Sequence, residues 1–310
     1  MTSYEVIEVV PDTDAWLDER RKSVGASEVA AVMGLSQWAT PLDVYKSKHG
    51  VDRPFDPLIA LVGHMDEAVM SRWLVELSGL EPNLTDGFMA RSTKYPFLHA
   101  TPDRIWDGIP VQLKTAHEYT SHKWDEGIPT EYRIQVQAEM LVLGAPKALL
   151  VVRIGARDFR AIWETRDDLF IENHMVPALT AFWGHVTDGV EPPPSTVAEI
   201  ADKWHDSGEE MEAPEELQTR IEQRAFLLAT AKEAEEDAKK IQLELGAFML
   251  EHNVERFTVH GKTLLTYKRQ NGRASFDQKR LREDHPDLAL EYTNQGAPFL
   301  VMRTYKPKEP

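Results

Sequence analysis

The order of helical and extended patterns between residues 57 and 188 is the feature that most limits the fold of this chain. Runs typical of β-strands lie at 87–91, 97–100, 103–106, 110–115, 148–152 and 159–164. Helical patterns at 57–78, 130–143 and 167–188 precede, separate and follow these strands. A chain in which helices alternate with groups of strands is expected to form a mixed central sheet flanked by helices, an α/β (α+β) fold.

The N-terminal segment predicts further helices. Residues 12–34 carry a helical pattern that breaks at Val24-Gly25, and Ser27 stands where a second helix would take its N-cap. On the later helix, 57–78, an apolar face is expected at Val69, Trp73 and Leu77. The acid Glu67 falls near that face.

A change in composition divides the chain after its first two thirds. The run EPPPS at 191–195 predicts a stiff linker, and the residues after it carry apolar positions at helical spacing over about 214–251. A β-hairpin that turns at His260-Gly261 is expected next, followed by short helical and extended segments up to Tyr305. We therefore expect a core domain at 1–192 and, at 193–310, an extension made of a long helix and a hairpin.

Composition and charge narrow the possible functions. The 310 residues contain no apolar run of about 18 residues, so no membrane span is expected. The pattern of the first residues does not predict a secretory signal. The chain has no cysteine, which excludes thiolate metal sites and fits the reducing cytoplasm. Its formal net charge of −16 argues against broad contact with nucleic acid, although a local basic channel can coexist with an acidic exterior.

The stretch TPDRIWDGIPVQLKTA, residues 101–116, carries the clearest chemistry. A hairpin that turns at Asp107-Gly108 would pair Asp103 with residues near 112, and Gln112 and Lys114 would point to one face because they are two apart. Carboxylate and amide oxygens suit Mg²⁺, and a lysine beside them could orient water or offset charge on a phosphate. The alternative is an ordinary turn acid and a lysine on an edge strand.

Other polar residues permit a similar pair of interpretations. Glu67 is either a surface glutamate or an acid that ligates or pairs, and the glutamines Gln135 and Gln137 either satisfy backbone groups or serve a site. At the N-terminus, Arg20 and Ser27 form either an ordinary helix start or a seat for a phosphate, made of a guanidinium, a hydroxyl and helix-end amides.

Four blocks in a fixed order resemble a known family. They are WLDERRKSVGASEVAAVMGLSQWATPLDVY, GHMDEAVMSRWLVELSG, HATPDRI…VQLKTA and YRIQVQAEMLVLGA, within roughly residues 14–165. This order is similar to that of the YqaJ viral recombinase family, the group of the phage lambda type 5′–3′ exonuclease with the PD-(D/E)xK nuclease fold. The last third of the chain looks like tails in related phage exonucleases, more loosely.

The resemblance implies a role for each matching residue. Asp103 would be the metal-ligating acid, Lys114 the motif lysine, and Glu67 the helix acid near the metals. Gln112 and the backbone carbonyl of Leu113 would be further metal ligands. Gln135 would position the attacking water. The residues implied in binding DNA and its 5′-phosphate are Arg20, Ser27, Thr101 and Gln137.

The same resemblance implies an activity and partners. The protein would be a Mg²⁺-dependent exodeoxyribonuclease, with Mn²⁺ as a possible substitute, that digests one strand of linear double-stranded DNA from its 5′ end. It would leave a 3′ single strand for a single-strand annealing protein during phage recombination. It would form a homo-oligomeric ring, a trimer, with its positive charge inside.

Gln112 departs from the family pattern, which usually has glutamate at this position. A glutamine offers an oxygen of similar reach with one less negative charge, so metal affinity is expected to fall. Three other interpretations stay open. They are a catalytically decayed protein that binds DNA ends, a RecB-like or Cas4-like nuclease with other polarity, and a purely structural phage protein.

Overall fold

The computed structural model describes residues 3–11, 13–52, 57–272, 274–294, 296 and 299–303. The chain divides into two compact units, Met1–Lys203 and Trp204–Pro310. The expected domain boundary at 192/193 stays a prediction. Within the described ranges, no helix is both long and apolar enough to cross a membrane.

The strands of the first unit form two sheets. They are β1 (Tyr4–Ile7), β2 (Val24–Gly25), β3 (Leu84–Asp86), β4 (Met89–Ser92), β5 (Leu98–Ala100), β6 (Arg104–Trp106), β7 (Ile109–Ala116), β8 (Lys147–Ile154) and β9 (Asp158–Thr165). The larger sheet has the order β3-β6-β7-β8-β9, and the smaller one has the order β1-β4-β5-β2. In the larger sheet β7 and β8 are parallel, whereas the other neighbours are antiparallel. The expected mixed sheet is confirmed, but β4 and β5 belong to the second sheet.

Helices cover both faces of the larger sheet. The helices of the first unit are α1 (Asp14–Arg21), α2 (Val29–Val32), α3 (Pro41–Lys48), α4 (Pro57–Glu76), α5 (Thr130–Leu143), α6 (Asp168–Phe170), α7 (Val176–Asp188) and α8 (Val197–Lys203). On one face, Met70 and Leu74 of α4 pack with Val111 and Leu113 of β7. On the other face, residues of α5 pack with β8. The expected arrangement of a mixed sheet flanked by helices is therefore confirmed.

Helix α5 lies between the two sheets. Its Val136 and Met140 pack against the larger sheet, while Ile134 and Ala138 belong to the core that α2 and the smaller sheet form. A helix with neighbours on both sides must be apolar almost all round. It also forms the crossover that two parallel strands require, because β7 and β8 cannot be joined by a tight turn.

Two local expectations are wrong. Ser27 is not an N-cap: it lies within a 3₁₀ turn, Ala26–Glu28, and the cap position is Gly25, whose amide donates to the Glu28 carboxylate. Val69 on α4 and Leu77, just after its end, are 50% and 74% exposed, and the buried face is formed by Met70 and Leu74. Of the three expected residues, only Trp73 packs against this core. Glu67 lies three and seven residues before Met70 and Leu74, so it shares the buried face.

The helix expected at 167–188 is present with an irregular middle. Between α6 and α7, residues Ile171–Met175 form a π-helical turn. Pro177 follows this turn in the first turn of α7, and it has no amide hydrogen to continue the regular ladder.

The second unit contains the expected long helix and hairpin. Helix α9 (Glu215–Glu251) has 37 residues, and β10 (Arg256–Val259) pairs with β11 (Lys262–Thr266). His260 and Gly261 between these strands both have positive φ, as a tight hairpin turn requires. Of the apolar residues of α9, Met249 is buried, whereas Leu217 and Ile221 are exposed. Helices α10 (Gln278–Asp284) and α11 (Pro286–Glu291) follow, and Tyr305 lies outside the described residues.

Candidate functional site

One cavity of about 610 Å³ in the first unit collects most of the candidate residues. Those that line it are Arg20, Ser27, Glu67, Thr101, Asp103, Gln112, Lys114 and Gln135. They come from α1, the Ala26–Glu28 turn, α4, the hairpin β6–β7 and α5. The sequence suggested two separate groups of residues: the acids with the lysine, and the residues considered for phosphate binding. The cavity brings these two groups together.

The hairpin β6–β7 places its polar residues as its turn dictates. Asp107 and Gly108 both have positive φ, and Arg104 lies opposite Val111. The same register puts Asp103 opposite Gln112. The Asp103 carboxylate also accepts a hydrogen bond from the Leu113 amide, with 2.7 Å between Oδ2 and N. This contact fixes the acid against the strand that carries Gln112 and Lys114.

Burial shifts the acids of the cavity toward their neutral forms. The pKa of Asp103 is raised by burial, against the opposing effects of Lys114 and of the Leu113 amide. The pKa of Glu67 is also raised, first by burial and then by the negative charge of Asp103. Arg104 lies 3.7 Å from Glu67, measured from Nη1 to Oε2, and offsets part of this effect.

Gln112 is buried without any hydrogen bond. Its side chain belongs to a residue that is 1% exposed, and neither its amide nitrogen nor its amide oxygen has a partner among the described residues. A buried amide without partners is costly, because it has lost its water and gained nothing in exchange. Such a group is expected where a ligand, an ion or water completes the site.

Lys114 lies on the same face of β7 as Gln112. Its residue is half-buried, and its Nζ lies 5.5 Å from the centre of the Tyr132 ring on α5. Contact with an aromatic face holds the ammonium without neutralising it. The positive charge is thus kept beside Asp103.

A buried ion pair supports the other end of the cavity. Lys48, whose side chain is 1% exposed, donates to the Glu28 carboxylate at 2.6 Å and to the backbone oxygen of Arg20 at 2.9 Å. The Arg20 guanidinium stacks over Trp16 at 4.6 Å and lies 3.8 Å from Glu28. Lys48 and Glu28 therefore position the backbone and the side chain of Arg20 together.

His99 also lines the cavity. It is buried, and its Nδ1 lies 2.9 Å from the Ser23 hydroxyl. Burial holds its pKa well below the usual value, with Lys48 and Arg20 lowering the pKa further. A Cβ at Gly25 would lie 3.1 Å from His99 Nε2, so glycine allows the backbone to approach the ring closely.

The acids and amides of the cavity form an oxygen-rich set. No group of three or more His, Cys, Asp or Glu side chains in the described part of the chain is arranged to hold a metal ion by itself. The cavity does combine the carboxylates of Glu67 and Asp103 with the partnerless amide of Gln112. Oxygen donors of this kind fit a hard divalent cation such as Mg²⁺.

A comparison of sequences identifies the segment that contains this cavity. Residues 15–146 match the family model of the YqaJ-like viral recombinase domain, and every candidate site residue lies within that range. Residues 15–146 are therefore similar to a YqaJ-like viral recombinase domain. The resemblance inferred from the four sequence blocks is thereby confirmed.

Relatives of the chain extend beyond the YqaJ-like domain. The uncharacterized protein YqaJ of Bacillus subtilis (strain 168) is 25% identical over 294 residues, which cover 89% of each chain. Among solved structures, the alkaline exonuclease LHK-Exo from Laribacter hongkongensis is 19% identical, with a TM-score of 0.48, over 58% of this chain and 95% of that one. A phage related exonuclease from Haemophilus somnus 129PT is 14% identical, with a TM-score of 0.42, over 54% and 96%.

Two predicted residues of the YqaJ-like domain do not line the cavity. Gln137 is buried and uses its amide to tie α5 to the end of β9: it donates to Glu164 and to the Thr165 carbonyl, and accepts from the Asp167 amide. Leu113 packs its side chain against α4, on the opposite face of β7 from Gln112. Gln135 and Gln137 are two apart on a helix and so face different directions.

Sequence reasoning missed two acids that line the cavity, Asp86, whose side chain is 95% exposed, and Glu139. Glu139 lines the cavity, is fully buried, and accepts a hydrogen bond from Gln135, with 2.9 Å between Nε2 and Oε1. Burial and the charge of Asp103 raise its pKa to about 8, against the effects of Gln135 and Lys114. The signal was present in YRIQVQAEM, because residues four apart share one helix face.

Proposed function

We propose that the first unit is a metal-dependent exodeoxyribonuclease of the PD-(D/E)xK type that digests one strand of linear double-stranded DNA from its 5′ end. The observation that supports this most is that a single cavity joins Asp103, Gln112 and Lys114 to Arg20. Acids and a lysine are what phosphodiester hydrolysis requires, and a guanidinium is suited to a terminal phosphate.

The cation in this proposal is Mg²⁺, with Mn²⁺ as a substitute. Asp103, Gln112, the carbonyl of Leu113 and Glu67 would hold it. When bound, the ion supplies a more acidic water and neutralises charge on the phosphate. The raised pKa values of Asp103 and Glu67 support this assignment, because both acids lie where a nearby cation would stabilise their charged forms.

The residues of the chain perform the remaining tasks. Lys114 offsets negative charge that develops on the scissile phosphate, or orients the attacking water. Gln135 positions the water from α5. Arg20, Ser27 and Thr101 bind the 5′-phosphate, and Arg20 is suited to this because Trp16 and the Lys48–Glu28 pair hold it in place. Gln137 has no part in this proposal, since its amide is committed elsewhere.

Partners follow from the same proposal. The 3′ single strand that remains would be the substrate of an annealing protein in the cytoplasm of the host. A homo-oligomeric ring, a trimer, would enclose the duplex. The net charge of −16 is compatible with DNA binding only if positive charge is concentrated locally, and Arg20, Arg104 and Lys114 line the cavity.

The proposal is tested with linear duplexes that carry a 5′-phosphate or a 5′-hydroxyl, with each strand labelled separately. We expect Mg²⁺-dependent loss of the 5′-ended strand, faster from the phosphorylated end. Loss of the 3′-ended strand would support a RecB-like or Cas4-like nuclease instead. Binding of DNA ends without cleavage at any Mg²⁺ or Mn²⁺ concentration would indicate a decayed nuclease. This is the alternative that the neutral Gln112 raises.

A further inference from the structure

Position 112 leaves a deficit of negative charge at the candidate metal site. Strand β7 contributes the uncharged amide of Gln112 to the lining of the cavity, and the register of the hairpin puts Gln112 opposite Asp103. Both polar atoms of this amide are buried and lack partners in the described part of the chain. An amide oxygen is a weaker ligand for a divalent cation than a carboxylate, because it carries no net charge.

A second buried group without a partner lies beside it. Glu139 is 0% exposed, and its Oε2 has no hydrogen-bond partner among the residues described. Its other oxygen accepts from Gln135, which fixes the carboxyl group on the cavity side of α5. A hydrogen-bond interaction with the Gln112 amide lowers the pKa of Glu139, although the two side chains do not meet the distance and angle requirements of a full hydrogen bond.

Packing does not account for an acid at this position. The neighbours of Glu139 on the buried side of α5 include Val136 and Met140, both 0% exposed, and an apolar side chain would suit such surroundings. Burying a carboxyl group with an unsatisfied oxygen is costly unless a partner is added. A cation in the cavity is such a partner.

We propose that Glu139 supplies, from helix α5, the carboxylate that strand β7 lacks at position 112, and that it is a ligand of the divalent cation. This inference rests on the proposed function and extends its ligand set. A neutral residue at 112 then has a physical reason, since two carboxylates side by side in a buried cavity would repel each other before the cation binds.

The test exchanges the charge between the two positions. Four proteins are compared: wild type, Glu139→Gln, Gln112→Glu and the double variant Gln112→Glu/Glu139→Gln. Mn²⁺ binding is measured by calorimetric titration and by electron paramagnetic resonance without DNA, and cleavage is measured separately. Thermal unfolding checks the fold, which Glu139→Gln is expected to keep because the new amide oxygen still accepts from Gln135.

We expect Glu139→Gln to weaken Mn²⁺ binding at least about 10- to 100-fold, the range found when groups that support a metal site are removed. Gln112→Glu alone should bind Mn²⁺ more tightly than wild type, and the double variant should recover the wild-type affinity. Glu139→Asp keeps the charge on a shorter side chain, and an intermediate affinity is expected from it. The matched control is Glu131→Gln on the same helix, whose side chain contacts Gln37 outside the cavity and should change nothing.

Wild-type Mn²⁺ affinity in Glu139→Gln would overturn the inference, and so would a double variant that stays as weak as Glu139→Gln. Asp103→Asn separates this failure from that of the proposed function. If Asp103→Asn loses binding and cleavage while Glu139→Gln keeps both, only the role of Glu139 is wrong. If wild type neither binds Mn²⁺ nor cleaves DNA, the proposed nuclease and the role of Glu139 both fail.

Discussion

The Asp103 carboxylate and the Leu113 backbone amide are joined by a hydrogen bond of 2.7 Å across the β6–β7 hairpin. The bond links the residue before one strand to the middle of the next. It orients the acid toward the face of β7 that carries Gln112 and Lys114. A carboxylate that is held by the backbone would lose little freedom on binding the proposed cation.

Replacement of Asp103 by asparagine should strongly slow cleavage and leave the fold intact. The amide oxygen of the new side chain can still accept from the Leu113 amide, but it carries no charge for a cation. The rate should fall at least about 100-fold, as when one group that stabilises developing charge is lost. Single-turnover digestion and thermal unfolding measure the two effects. Asp107→Asn, at the exposed turn of the same hairpin, is the control. Equal activity of the two variants would contradict the assignment of Asp103 to the catalytic site.

Lys114→Met should lower the cleavage rate about 100- to 1000-fold and leave Mn²⁺ binding nearly unchanged. Methionine removes the ammonium that lies over the Tyr132 ring, and a lysine is not among the proposed metal ligands. Lys147→Met is the matched control, since Lys147 lies over the Trp163 ring outside the cavity. Parallel losses of binding and rate in Lys114→Met would show that the lysine is structural.

Arg20→Ala should reduce the preference for phosphorylated 5′ ends more than it reduces cleavage of DNA that is already bound. A charge-assisted hydrogen bond to phosphate contributes about 1.5–3 kcal/mol, or roughly 10- to 150-fold in affinity. Competition between 5′-phosphate and 5′-hydroxyl duplexes measures the preference. Lys22→Ala is the matched control, because it removes an equal charge from an exposed side chain two residues away. This variant should keep the preference for phosphorylated ends. Equal treatment of both ends by the wild type would remove the basis for the phosphate seat.

His99 makes a prediction about acid stability. The pKa of His99 lies well below 6.5 in the folded protein. Near pH 6.5 the unfolded chain therefore binds a proton on this imidazole that the folded protein does not bind. Stability should therefore fall as the pH decreases below 6.5, by up to about 1.4 kcal/mol per pH unit. Urea unfolding of the metal-free protein should show a flatter profile for His99→Asn. A profile as steep as that of the exposed His122→Asn control would contradict the prediction.

Local patterns predicted the elements well where local forces decide them. The Asp107-Gly108 turn fixed the register of β6 and β7, and this register brought Asp103 to Gln112 as expected. The prediction of an N-cap at Ser27 was wrong because Glu28 accepts a hydrogen bond from the Gly25 amide and pairs with Lys48. Lys48 lies 20 residues away in the sequence. Composition near Ser27 contains no sign of that distant lysine.

Contacts between elements explain the rest of the disagreements. The periodicity of the α4 region predicted an apolar face at Val69, Trp73 and Leu77, of which only Trp73 packs against the core. The pattern did not single out Met70 and Leu74, because many residues of that helix are apolar. Glu139 was overlooked since its importance depends on β7 lying across from α5. The distinction between Gln135 and Gln137 likewise depends on the two sheets that enclose the helix.

The parallel pairing of β7 and β8 has a consequence for the order of events during synthesis. The chain leaves the ribosome with Arg20 first and Glu139 much later, and β7 finds its parallel neighbour only after α5 has emerged. Pairings between distant segments form late, because a long loop must close before they add stability. A growing chain thus has no complete cavity until most of the first unit has been translated. The position of α5 between the two sheets brings Gln135 and Glu139 to the cavity.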